Sequence, residues 1–326
     1  MEATTRVQFG EEILIVGSGA SLDGNTLIIG EGGTFELVGD LTGQVIVDAP
    51  ARLVTLVLNG VSIHNPTGPA ILGLAANGLT IELAAGSVNY LSDGGTSDYD
   101  AALYSESPLT ITGEGELDVR AVYEGISSTT HMTFLGGFTR VVAEEDGINA
   151  NRDGVSRISV HGGVLYSHGI TGDGIDSNGT IHITGGKVIA ISELGSMDSG
   201  LDADVGIYIE GGFVAATGVS AHLPLITPGE QSTVVVDFVN IQDADGLVVL
   251  ADQDGRALLA FASPVTYTRL VLSSPDIVAG GRYVVHRGGG AVGAGINGLY
   301  VDAVELGSPV AEVSGGRSVT VLPVTR

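Results

Sequence analysis

Four Gly-Gly pairs, at Gly136-Gly137, Gly162-Gly163, Gly185-Gly186 and Gly211-Gly212, each follow a short alternating strand and precede another. The strands read Met132-Thr133-Phe134, Arg157-Ile158-Ser159-Val160, Thr180-Ile181-His182-Ile183 and Gly206-Ile207-Tyr208-Ile209. A second column keeps step with them: Glu124-Gly125-Ile126-Ser127, Asp146-Gly147-Ile148-Asn149, Asp173-Gly174-Ile175-Asp176 and Ser199-Gly200-Leu201-Asp202. Both columns return every ~22–27 residues, the period of a stacked-repeat architecture.

Each unit alternates apolar and polar residues with period two over a few residues and offers no helix-length amphipathic window, so one unit cannot bury its own apolar face. Stacking units one above another solves this. Inward Ile and Val then form continuous apolar ladders, turn residues form ladders outside, and corner glycines supply backbone angles closed to residues with a Cβ. The expected fold is all-β, a right-handed parallel β-helix. Gly33-Thr34-Phe35-Glu36-Leu37, Val45-Ile46-Val47, Val54-Thr55-Leu56-Val57-Leu58 and Leu79-Thr80-Ile81-Glu82-Leu83 read as less regular coils of the same solenoid. After Thr217 the pattern changes at Pro224, Pro228 and Gly229, which places a boundary there. Residues 1–220 are read as the solenoid and 221–326 as a β-rich unit that caps or flanks it.

Glycine, 51 of 326 residues, has no Gly-X-Y period, and 44% of the chain is hydrophobic, so collagen-like and disordered readings fail. Lys and Arg number 13 against 38 Asp and Glu, a net charge of −25. Such a surface repels phosphate backbones, which argues against nucleic acid as a partner. It would repel a uronate polymer too, unless its carboxylates hold divalent cations that bridge protein to sugar acid. No apolar run is long enough for a membrane-spanning helix, so no membrane insertion is expected. Cysteine is absent, which excludes disulfides and thiolate chemistry but leaves the compartment open. The opening residues, Met1 to Arg6, lack the apolar core of a leader, and a processed form is expected.

Because turn positions stack, Glu124, Asp146 and Asp173 fall in one column and Asn149, Asp176 and Asp202 in another. Calcium takes six to eight oxygens at about 2.3–2.6 Å from carboxylates, amides and carbonyls, and these columns are its candidate ligands. A solvated acidic face is the bland alternative. Arg152, Asp153, Asp198 and Asp204 lie close in sequence and are candidate ligand contacts; Arg140 and Arg157 could also meet sugar carboxylates. The seven histidines show no paired zinc spacing, and His131, His161 and His182 receive no role. Lys187, the only lysine, is a candidate base for β-elimination. Its column partners Phe138, Val164 and Phe213 favour packing instead. Asp243-Ala244-Asp245-Gly246 and Asp252-Gln253-Asp254-Gly255 read as hairpin turns rather than as EF-hand loops. Gly288 to Gly293 matches a dinucleotide fingerprint with no helix behind it.

The chain resembles a bacterial carbohydrate-binding β-helix family related in architecture to pectate lyases. The likeness runs through Val54-Thr55-Leu56-Val57-Leu58-Asn59-Gly60-Val61-Ser62-Ile63, Gly68-Pro69-Ala70-Ile71, Asn89-Tyr90-Leu91-Ser92-Asp93-Gly94, Leu109-Thr110-Ile111-Thr112-Gly113, the Asp-Gly-Ile turns at Asp146 and Asp173, and Gly281-Arg282-Tyr283. It implies calcium and acidic sugars such as polygalacturonate, with cellulose as a further ligand, bound outside the cell without lyase activity. The family's acidic turn motif maps onto Asp146, Asp173 and Asp176, and its Asn-x-Leu-x-Asp segment onto Asn89 and Asp93, so the resemblance adds Asp93 to the candidate calcium ligands. Lys-Asp-Asp turns associated with the family are replaced by Glu106-Ser107-Pro108 and Thr129-Thr130-His131.

The expected function is calcium-dependent binding of acidic polysaccharide of plant or bacterial cell-wall type, at an extracellular or cell-surface location. A calcium-dependent lyase and a structural surface solenoid are the alternatives.

Overall fold

The computed structural model describes residues 4–95, 97–195, 198–221, 224–227, 229, 231–301, 304–314 and 320–324. Met1, Glu2, Ala3 and the expected boundary residue Pro228 lie outside them. The described residues form strands and turns with no helix. They build a right-handed parallel β-helix of about 8 turns, followed by an antiparallel C-terminal sheet.

Each regular coil contributes three short strands to three parallel sheets, called here faces 1, 2 and 3. One coil runs through Leu109–Gly113, Glu116–Ala121 and Glu124–Ser128, and the next through His131–Phe134, Phe138–Ala143 and Ile148–Ala150. Face 1 stacks Val54, Leu79, Leu109, Met132, Ile158, Ile181 and Ile207 in direct register. All are fully buried in one core that runs the length of the solenoid. Each such side chain contributes roughly 1.5–3 kcal/mol by burial, and the ladder makes coils that are individually unstable hold together.

The Gly-Gly pairs turn the chain from face 1 to face 2. Their second members, Gly137, Gly163, Gly186 and Gly212, all have φ between 74° and 79°. A Cβ on Gly163 would stand 2.5 Å from the carbonyl oxygen of Gly137, so the turns stack as closely as backbone allows.

The C-terminal residues do more than follow the solenoid. Tyr267–Ser273 pairs antiparallel with 214–218 on face 2, and Thr233–Gln242 pairs with it in turn. A five-stranded sheet formed by Leu247–Asp252, Ala257–Ala262, Arg282–Ala291, Leu299–Tyr300 and Val304–Ser314 then covers the outer side of this extended face. Tyr166, Ile189, Ile191 and Ala215 share a second core there with Leu250, Phe261, Leu270 and Tyr283. The junction is pinned by Arg269, whose Nε and Nη2 donate to Asp237 Oδ1 and Oδ2 at 2.6 and 2.7 Å. The Asp252 stretch is the expected hairpin turn, its Oδ1 accepting from Asp254 and Arg256 N–H. Gly288-Gly289-Gly290 lies within a strand.

Candidate functional site

The acidic columns meet where face 2 turns into face 3. Register places Ile126, Ile148, Ile175 and Leu201 inward and one above another. The residues two positions earlier, Glu124, Asp146, Asp173 and Ser199, therefore stack as a turn ladder. On the outer side of face 3, Ser127, Asn149 and Asp176 align. Two clusters result, each with carboxylate oxygens within 4.8 Å of one another: Glu124 with Glu145 and Asp146, and Asp173 with Asp176 and Asp202.

Part of each carboxylate is spent on the backbone. Asp146 Oδ1 accepts from the Asp173 N–H at 2.7 Å, and Asp173 Oδ1 accepts from the Ser199 N–H at 2.6 Å, so each turn caps the next. The rest is not satisfied. Asn149 Nδ2 donates to Glu124 Oε1 at 2.6 Å, leaving Glu124 Oε2 and Asn149 Oδ1 buried with no hydrogen-bond partner. Glu124 and Asn149 are 4% and 8% exposed, and an unpaired buried oxygen costs about 1–3 kcal/mol, more when charged.

The electrostatics follow from burial and like charge. Desolvation pushes Glu124 up to about 8, with Asp100 and Asp146 raising it further against the lowering effect of the Asn149 and Ser127 side chains. Asp173 goes up to about 9 through burial and through Asp146, Asp202 and Asp176, against the lowering bond from Ser199. Asp146 and Asp176 reach about 7 for the same reasons. Bare, these carboxylates resist ionisation near neutral pH. A divalent cation favours their ionised forms and supplies the missing partner for an amide oxygen, which fits a hard, oxygen-seeking ion.

Of the residues expected from sequence, Glu124, Asp146, Asn149, Asp173, Asp176 and Asp202 come together in these clusters. Asp198 lies close enough to raise Asp146. Asp93 stands apart: its Oδ1 accepts from the Val122 N–H at 2.9 Å, so it caps a turn, while buried Asn89 bolts neighbouring coils through Gly60, Val61, Ser87 and Glu116. Arg152, Asp153 and Asp204 are exposed, with Asp153 accepting from Asn178. Arg140 pairs with Asp118 at 3.2 Å and lies over the Tyr166 ring. Lys187 stands between Val164 and Phe213 on face 2, as its column suggested. Glu145 was missed in the sequence reading, although it directly precedes the Asp-Gly-Ile turn.

A family model described as carbohydrate-binding domain-containing protein matches residues 23–256. The chain belongs to this family. A family relative from Acetivibrio thermocellus, also a carbohydrate-binding domain-containing protein, is 33% identical over 111 residues, 31% of this chain and 39% of the relative. The matched stretch thus spans about two fifths of that relative's length. A solved structure of a polysaccharide lyase-like protein from C. thermocellum, a gadolinium derivative, superposes with a TM-score of 0.55 at 26% identity. It covers 65% of this chain and 94% of that one.

Proposed function

We propose that the protein binds acidic polysaccharide outside the cell through calcium held at the two turn clusters, and does not cleave it. The observation that carries this is the pair of buried oxygens, Glu124 Oε2 and Asn149 Oδ1, that lack partners beside Glu145 and Asp146. Family membership supports carbohydrate as the ligand class, and the lyase-like neighbour supports a polymer. A net charge of −25 makes a bare uronate polymer an unfavourable partner, and a calcium ion with open coordination positions reverses that sign. Gadolinium, carried by the similar structure, shares calcium's preference for oxygen ligands. Two candidate bases stand in surroundings that favour binding over β-elimination: Lys187 lies between Val164 and Phe213, and Arg140 is engaged by Asp118.

The test is calorimetric titration of EDTA-stripped protein with polygalacturonate near pH 8, with and without calcium, while ultraviolet absorbance is followed. Binding that requires calcium, with flat absorbance, is expected. Affinity unchanged by EDTA contradicts the bridge, and rising absorbance from unsaturated products favours a lyase.

A further inference from the structure

The outer side of face 1 carries a second pattern. Thr34, Thr55, Thr80, Thr110, Thr133 and Ser159 align one above another through successive coils, making a hydroxyl ladder with rungs about 4.8 Å apart. The column continues into His182 and Tyr208, whose rings stack at 4.5 Å and 14°. Beside it, His131 aligns with Arg157, and His161 Nδ1 meets Thr184 Oγ1 at 2.6 Å on the next coil.

The last four coils of this surface are sparing in acid compared with the chain as a whole, whereas the earlier coils carry Glu36 and Glu82 on the same side. Across the four coils 131–135, 157–161, 180–184 and 206–210, the outward residues include Arg157 and three histidines, and the single carboxylate is Glu210. Arg157 is exposed and has no ion-pair partner among the described residues, whereas Arg6, Arg120, Arg140, Arg256 and Arg269 each have one. A lone cationic group on a chain with 38 acidic residues is available to an external anion. The C-terminal sheet covers face 2 and leaves this face open.

We infer that the outer side of face 1 is a second, calcium-independent contact surface for acidic polysaccharide, with Arg157, His131, His161 and His182 receiving sugar carboxylates and the hydroxyl ladder lying along the polymer. The inference rests on the proposed ligand class and adds where the polymer lies. An extended pyranose chain advances by about one β-rung per sugar, so hydroxyls repeat in step with it. Arg157 supplies fixed donors for carboxylate, and the stacked Tyr208 holds the His182 ring upright. Burial, with Arg157 and His161 nearby, lowers the His182 pKa, while Glu210 opposes this. Burial therefore delays the charging of His182 to lower pH, where uronates remain anionic. Calcium binding at the buried carboxylates has the reverse pH dependence, so the two surfaces separate experimentally.

The experiment is titration of the full chain with trigalacturonate in EDTA at about pH 5.5 and about pH 7.5. The expected result is binding that tightens about tenfold at the lower pH. Arg157→Ala and His161→Gln, both at exposed positions, should abolish most of the acid-pH binding. His64→Gln, which removes an imidazole on face 2, should not. Absence of binding in EDTA at both values, or equal loss in all three variants, overturns the inference. Calcium-dependent retention near pH 8 is measured separately, so either surface can fail without the other.

Discussion

Asn149 gives its amide to Glu124 Oε1 at 2.6 Å, and each side chain is left with one buried oxygen that meets no donor. Two acceptors facing one acidic pocket are a poor arrangement for a fold without an ion. With an oxygen-seeking cation they become ligands, and the cost of burying them is offset.

Asp173→Asn keeps the acceptor for the Ser199 N–H and removes one buried negative charge. In EDTA near pH 8 the variant should be more stable than the parent by at least about 1–3 kcal/mol in urea melts, because folding no longer has to protonate a carboxylate that is ionised in the unfolded chain. Added calcium should raise its Tm less than it raises the parent's. A variant equally stabilised by calcium contradicts the assignment of Asp173 as a ligand.

The metal-free protein should lose stability as pH rises. Glu124, Asp146, Asp173 and Asp176 have folded-state pKa values of about 8, 7, 9 and 7, against ordinary values of 4.5 for Glu and 3.8 for Asp. The folded chain therefore holds more protons than the unfolded chain above the ordinary values. Stability from these groups is fully present below about pH 4 and is lost progressively as pH rises from there to about pH 9. Thermal melts in EDTA at stepped pH should show this decline, and saturating calcium should flatten it. A Tm that rises over that window in EDTA contradicts the raised values.

Gly163→Ala tests the stacked corner. Its φ is +75°, and the new Cβ would meet Gly137 O at 2.5 Å and Gly136 Cα at 2.9 Å. Destabilisation beyond about 1 kcal/mol is expected, whereas Gly154→Ala, also at positive φ but with open space around it, should cost less.

Arg269→Ala should loosen the C-terminal sheet. The guanidinium is 5% exposed, is held by both oxygens of Asp237 and also donates to Ser220 O at 3.0 Å. Breaking a buried pair from one side costs about 3–5 kcal/mol. Limited proteolysis should then release fragments beginning beyond residue 218, and resistance equal to the parent's would count against the junction.

The stacking was legible because glycine spacing, strand alternation and Asp-Gly-Ile turns share one period, so Asn149 and Asp176 could be aligned before any coordinates. Asp93 was not, since its oxygen caps Val122 N–H across a coil, a partner no column predicts. Glu145 escaped because it stands just outside the turn column and joins Glu124 only through the excursion of the turn. His131, His161 and His182 looked unconnected in sequence; register is what places them on one face with Arg157. The sequence pattern changes near residue 220. It did not reveal that Tyr267–Ser273 returns to pair with face 2, a long-range contact that local spacing cannot encode.

The most direct measurement is calorimetric titration of calcium into the stripped protein at about pH 7, repeated in buffers of different ionisation enthalpy. Since Glu124 and Asp173 are raised to about 8 and 9, calcium must displace their protons on binding. The account predicts binding heats that change with the buffer in proportion to proton release, and a smaller release from Glu124→Gln. Absence of calcium binding, or binding with no proton released, would contradict it.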